Sequence, residues 1–342
     1  MRLRAPPLRP SAQPRNARRT ALLRERCPDR DTERLISHGI AHLADRIKTS
    51  SPVWTPLRSS ALSVEISPLG AQLSALRDAE GRDLLWDGDP AVWNGRAPLL
   101  FPIVGTLGGG AYRVGNKTYR LSRHGFARGR MFSLIRADDT AATFRLISDA
   151  ASLEIFPFEF ALDVTFELRG ASLTVTSSIR NTGPRDLWAS FGYHPAFRWP
   201  LPYGRPRSAH FVEFAVPEPA PIRRLDGTGL LASETHPTPV VDGRLALADG
   251  LFLEDALIMD QVRSRSVTYG AADGPRLRVD FPDTPYLGLW SKPGAGFVCV
   301  EPWHGLSDPA GFTGEFRDKP GVFSVPPGTA RPVKMTIAWA PE

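Results

Sequence analysis

Apolar and polar residues alternate along much of the chain. Leu62, Val64 and Ile66 are separated by Ser63, Glu65 and Ser67. Leu162, Val164, Phe166 and Leu168 alternate with Asp163, Thr165, Glu167 and Arg169, and Leu173 and Val175 continue the pattern in the next run. The same period recurs in Leu277, Val279 and Phe281 and in Val333, Met335, Ile337 and Trp339. Successive side chains of a strand point to opposite faces, so a period of two predicts half-buried strands. Val298 to Val300 is continuously apolar and predicts a central strand. Turn-forming clusters separate the runs at Gly108-Gly109-Gly110, Asn181-Thr182-Gly183 and Lys292-Pro293-Gly294. After residue 58 there is no long helical pattern and no repeat of fixed length. The body therefore reads as all-β, a sandwich of large antiparallel sheets.

The first 58 residues differ. Residues 1–30 are dense in Arg and Pro, and proline fixes φ and removes a donor, so a disordered arm is expected. Leu35, Ile36, Ile40, Leu43 and Ile47 then fall near helical spacing. They suggest a short helix at 31–48, which Gly39 weakens by ~1 kcal/mol. The arm lacks the apolar stretch of a secretory signal, and the residues after Arg18-Arg19 are too polar for a twin-arginine signal. Its composition leaves a transit peptide open. No Met stands between Met1 and Met131, so a start inside 48–58 would use an alternative codon, such as that of Val53. The plan is an arm at 1–58 and a working domain at 59–342.

Charge follows the same division. The chain carries +6 overall, and residues 1–58 hold 13 of its 42 basic and 5 of its 36 acidic side chains. The remaining body is slightly acidic, which gives no support to a nucleic-acid groove; such a partner would have to use the arm. No apolar run approaches the ~20 residues that span a bilayer, so no membrane segment is expected. Cys27 and Cys299 lie in different regions, which predicts neither a disulfide framework nor a cysteine-based zinc site.

Candidate chemistry lies in three segments of the body. The Gly105–Gly110 stretch is not one of them: it lacks the lysine and following helix of a phosphate-binding loop and reads as a tight hairpin turn. His124 sits in Arg123-His124-Gly125-Phe126-Ala127-Arg128, and His194 in Phe191-Gly192-Tyr193-His194-Pro195-Ala196-Phe197. His304 follows Pro302-Trp303. Imidazoles among aromatics and glycines at strand ends suit a concave site for a polar ligand. They serve equally as satisfied structural histidines. His38, His42, His210 and His236 stand in polar contexts and read as surface residues. Glu301 closes an apolar strand directly before Pro302 and Trp303, although Glu is depleted in strands. Burial beside Trp would raise its pKa towards the range useful to a general base; the alternative is a strand-end Glu paired with Arg. No metal-ligand spacing and no Gly-x-Ser-x-Gly nucleophile turn is present, so no metal is expected.

These segments carry a resemblance. Together with Leu69-Gly70-Ala71-Gln72-Leu73, Trp93-Asn94-Gly95-Arg96-Ala97-Pro98 running on to Pro102-Ile103-Val104-Gly105, and Leu289-Trp290-Ser291-Lys292, they occur in the order found in the aldose 1-epimerase (galactose mutarotase-like) superfamily. The body most resembles its LacX-like branch over roughly residues 60–340. The resemblance implies a β-supersandwich with a sugar site in a concave face, and interconversion of α- and β-anomers of an aldose without a cofactor. It implies Glu301 as base and His194 as acid on opposite sides of the sugar, with His124 holding and polarising the ring. Asp255 matches the family's substrate-binding acid. Phe126, Trp290 or Trp303 would stack on a sugar face or belong to the core. Relatives often carry Arg where this chain has Thr106, and Arg96 is a candidate to replace that contact. Two other functions fit the same fold: a hexose-6-phosphate mutarotase using Arg96, Arg123 and Arg128, and a sugar-binding protein without catalysis. The expected partner is a small sugar, and the expected setting is the cytoplasm.

Overall fold

A computed structural model describes residues 53–341. The suggested helix at 31–48, Cys27, His38 and His42 lie outside the described residues. Two large antiparallel sheets dominate the body. The larger has nine strands. From edge to edge they are Arg244–Ala246, His210–Phe214, Ser266–Ala271, Arg276–Asp280, Ala330–Ala340, Ser172–Asn181, Phe160–Arg169, Ala141–Ile147 and Ser133–Ala137. The alternation read from the sequence becomes its inner face. Leu168, Leu173, Ile337, Val279 and Val267 pair in one row across five strands, and all are buried.

The second sheet carries the site. Leu231–His236, Ile222–Leu225, Leu257–Met259, Tyr286–Trp290, Phe297–His304, Phe191–Tyr193 and Leu99–Leu100 lie in that order, with Ala196–Arg198 also paired to Phe297–His304. Val298 and Val300 join the same core as Phe166, Val175 and Met335 of the first sheet. Side chains alternate along the strand, so Cys299, Glu301 and Trp303 point the other way, onto the face where the site lies. Tyr193 ties the layers together: its hydroxyl donates to the carbonyl of Val333 at 2.7 Å and lies 3.1 Å from Ser177 Oγ.

Four differences from the sequence reading have simple causes. Thr55–Arg58, assigned to the arm, is a strand paired with Leu62–Ser67, so the sandwich starts before residue 59. Gly108–Gly110 is a short 3-10 turn leading into Ala111–Val114; the hairpin turn itself is Gly115-Asn116. Ser133–Ala137 is a wholly exposed edge strand and had no core face to leave an alternation. His210 is buried: its Nε2 accepts from the Leu201 N–H and its Nδ1 meets the Pro206 carbonyl. Among the described residues no helix is long and apolar enough to cross a membrane.

Candidate active site

His124 is set by a tight local exchange. Its backbone N–H donates to the Gly105 carbonyl at 2.9 Å, and the Gly105 N–H donates to its ring Nδ1 at 3.1 Å. His124 itself has φ +68°, a strained conformation for a residue with a side chain, and such strain gathers at functional sites. Gly105 has φ +75°, and a Cβ there would sit 2.3 Å from Ser307 Oγ, so only glycine permits the exchange.

His194 is aimed by an interruption in the sheet. Gly192 pairs with Trp303 and Ala196 with Cys299, and between them His194-Pro195 bends the chain opposite Glu301. This brings His194 Nε2 to 3.1 Å from Glu301 Oε2. The contact lacks hydrogen-bond alignment: Glu301 Oε2 is buried with no partner. The Trp93 ring stacks on the imidazole at 5.1 Å, and Trp290 meets Trp93 edge-on at 5.4 Å.

These groups surround a cavity of about 300 Å³. Glu301, His194, His124, Trp93, Trp290 and Trp303 line it, with Arg123, Arg128 and Asp255 among the remaining walls. The volume is at the small end for ligand pockets, the scale of one monosaccharide. Its buried wall sets the protonation. Burial pushes Glu301 well above the usual carboxylate value of 4.5, with Arg123 pulling the other way. Burial lowers His194 to about 3 and His124 well below 6.5. Both imidazoles are therefore neutral. Both ring nitrogens of His124 face N–H donors, the Gly105 N–H at Nδ1 and Arg123 Nε at Nε2, 3.2 Å away; a neutral imidazole accepts from only one of them. Arg123 also reaches towards Asp255, at 3.8 Å.

The structure sorts the expected residues. It brings together Glu301, His194, His124, Asp255, Trp290 and Trp303. Arg96 is not in the cavity: its Nη1 donates to the Ser74 carbonyl at 2.8 Å and its guanidinium lies over Trp54. The arginines at the cavity are Arg123 and Arg128. Phe126 is also outside, because the turn at Gly125 sends it inward against Phe101, Phe156 and Phe160. Glu301 and His194, expected on opposite sides of a sugar, lie side by side, 3.1 Å apart. His304 belongs to the structure, with Nδ1 at the Gly321 carbonyl and Nε2 at Arg331. Trp93 and Gly105 were missed as site residues; the stretch Trp93 to Gly105 was noticed only as a matching block.

Trp303 is held by two glycines of neighbouring strands. A Cβ on Gly288 would lie 2.4 Å from its ring, and one on Gly192 2.8 Å. Gly288→Ala is therefore expected to lift the indole into the cavity. Displacing a wall of a reacting site by about 1 Å costs on the order of 10²-fold in rate. The expected result is a loss of that size in kcat/KM with the far-ultraviolet circular dichroism unchanged; a variant with wild-type kcat/KM would contradict this role.

The comparisons agree with the geometry. The aldose 1-epimerase family profile matches residues 55–324. The chromosomal protein LacX of Lactococcus lactis subsp. lactis is 36% identical over 282 residues, covering 79% of this chain and 94% of its own, and the plasmid form matches equally. A galactose mutarotase related enzyme from Lactobacillus acidophilus superposes with a TM-score of 0.78 at 27% identity, over 84% of this chain and 97% of its own. A galactose mutarotase-like protein from Lactobacillus casei gives 0.78 at 28% identity, over 84% and 100%. With a buried carboxyl beside an imidazole in a sugar-sized cavity, on a supersandwich of this topology, the chain belongs to the aldose 1-epimerase family.

Proposed function

We propose that the protein is a mutarotase, interconverting the α- and β-anomers of an aldose. The observation that carries this is Glu301 and His194 at 3.1 Å in one buried wall. Glu301 takes the proton of the anomeric O1–H and His194 gives a proton to the ring O5 as the C1–O5 bond breaks. The open-chain aldehyde turns about C1–C2, and O5 adds back to its other face. The roles then reverse, so the pair ends with the protons it began with, and no cofactor takes part.

Proton count supports the assignment. Burial favours the neutral carboxyl and neutral imidazole, which together hold one titrating proton. The reactive pair, carboxylate and imidazolium, holds the same number. Binding needs only to move that proton across the pair, helped by sugar hydroxyls and Arg123 that favour the carboxylate. A pH consequence follows. In the free protein His194 is depressed to about 3, so the pair gains no second proton as pH falls through the ordinary histidine value of 6.5. The catalysed kcat/KM, corrected for spontaneous mutarotation, is expected to hold from neutral pH down past 6.5 and to fall only at much lower pH. On the alkaline side it falls as the raised Glu301 gives up its proton. An acid limb centred near 6.5 would contradict the assignment.

Arg123 and Arg128 at the cavity favour a second reading, a hexose-6-phosphate mutarotase. Polarimetry on freshly dissolved α-glucose, α-galactose and their 6-phosphates separates the two. A preference for the phosphates that Arg128→Ala removes favours the second. Binding of sugars with no acceleration favours a non-catalytic carbohydrate binder. A cytoplasmic setting goes with all three readings and rests on the sequence alone.

A further inference from the structure

The wall that carries the acid and base has one more polarisable group. Cys299 lies two residues before Glu301 on the same face of Phe297–His304, and it is paired with Ala196, two residues after His194. One ligand atom each from His194, Cys299 and Glu301 lies within 4.8 Å of the others, all three residues being buried. Glu301 Oε2 and His194 Nδ1 have no hydrogen-bond partner.

We infer that this thiol, imidazole and carboxyl form a capture site for a thiophilic divalent cation, Zn²⁺ or Cd²⁺, and that such an ion shuts the sugar site. The chemistry is matched in type: soft thiolate, imidazole and carboxylate are the zinc donors. It is matched in charge. Thiolate and carboxylate together cancel the two positive charges, so the loaded cluster is neutral beside a cavity that already holds Arg123 and Arg128. It is matched in count, since three protein ligands leave a fourth position open to the cavity, for water or a sugar hydroxyl. Zinc–ligand bonds of ~2.0–2.3 Å require the widest of the three separations to close by about an ångström. Binding releases the thiol proton, and the carboxyl proton where present, to solvent. The sequence showed no such spacing because His194, in the break between Phe191–Tyr193 and Ala196–Arg198, lies more than a hundred residues before Cys299 and Glu301 in the chain.

The ion uses the two residues assigned to acid and base, so inhibition rests on the proposed function, whereas binding does not. The test reads both. Co²⁺ is titrated into the full chain, and the thiolate-to-cobalt charge-transfer band in the near ultraviolet is followed with the visible bands of four-coordinate Co²⁺. The band is expected in wild type and in Cys27→Ala, and lost in Cys299→Ala and Cys299→Ser. Glu301→Gln is expected to weaken Co²⁺ binding at least tenfold. Thermal melts without metal show which variants are folded, and either Cys299 variant suffices. A wild type without the band, or a folded Cys299 variant that keeps it, would overturn the site. Where mutarotation is catalysed, Zn²⁺ is expected to raise the KM for sugar at least tenfold in wild type and not in Cys299→Ser. Equal inhibition of both would overturn the link to the sugar site.

Discussion

Glu301→Gln is expected to lower kcat for anomer interconversion by about 10²–10⁴-fold, the usual contribution of a positioned general base. The reason is specific to this wall. Gln fills the same space, so Trp303, Gly288 and His194 need not move. Its amide cannot take the proton of the anomeric hydroxyl, and His194 then has no partner to complete the transfer. The fold is not expected to suffer. Burial pushes the Glu301 carboxyl towards its neutral form, and the replacement removes a group that is costly to keep ionised there. KM for the sugar is expected to change little, because the lost contribution belongs to the transition state. Polarimetry and a thermal melt on the same preparation check both halves. A fully active Glu301→Gln would remove the base from Glu301.

The largest effect on stability is expected next door. Asp308 and Lys319 form an ion pair at 2.6 Å, and both side chains are almost wholly buried. Asp308 also fixes the loop that carries Gly105. Its Oδ2 accepts from the Gly108 N–H, and its backbone N–H donates to the Thr106 carbonyl, both at 2.8 Å. Asp308→Ala leaves the Lys319 ammonium buried and unpaired, a change that costs ~3–5 kcal/mol. In a domain of this size that lowers Tm by about 10 °C. Burial already lowers the Lys319 pKa, with Asp308 as the main opposing influence, so its loss also makes the lysine easier to neutralise. Replacing the pair together, Asp308→Leu with Lys319→Met, is expected to restore part of the lost stability, because no lone charge remains while the Gly108 N–H still loses its acceptor. A single variant that melts with wild type would show that the pair contributes nothing.

Much of the fold was legible because it obeys one rule. Leu162 to Leu168, Leu173 and Val175, and Val333 to Ile337 alternate because one face of their sheet meets the core and the other meets water. The rule fails where that condition fails. Ser133–Ala137 is exposed on both faces and left no period to read. In Phe297–His304 both faces are covered, one by the core and one by the site, so it appeared as a continuous apolar run with Glu301 as its anomaly. That anomaly and the two histidine segments are the residues that meet at the cavity. Arg96 and Phe126 were misplaced because neighbours in a motif need not point the same way. A single turn at Gly125 sends His124 to the cavity and Phe126 to the core. Trp93 was missed because its contact with His194 crosses a hundred residues of chain and leaves no local period.

The most direct test of the central claim is exchange between the anomers of a sugar already at equilibrium, measured by two-dimensional NMR with and without the protein. Glucose, galactose and their 6-phosphates form the panel. If Glu301 and His194 do the work proposed, at least one of these sugars shows α–β exchange far above the spontaneous rate, proportional to protein concentration and absent with Glu301→Gln. Exchange at the spontaneous rate for every sugar, with the protein folded, would contradict the claim.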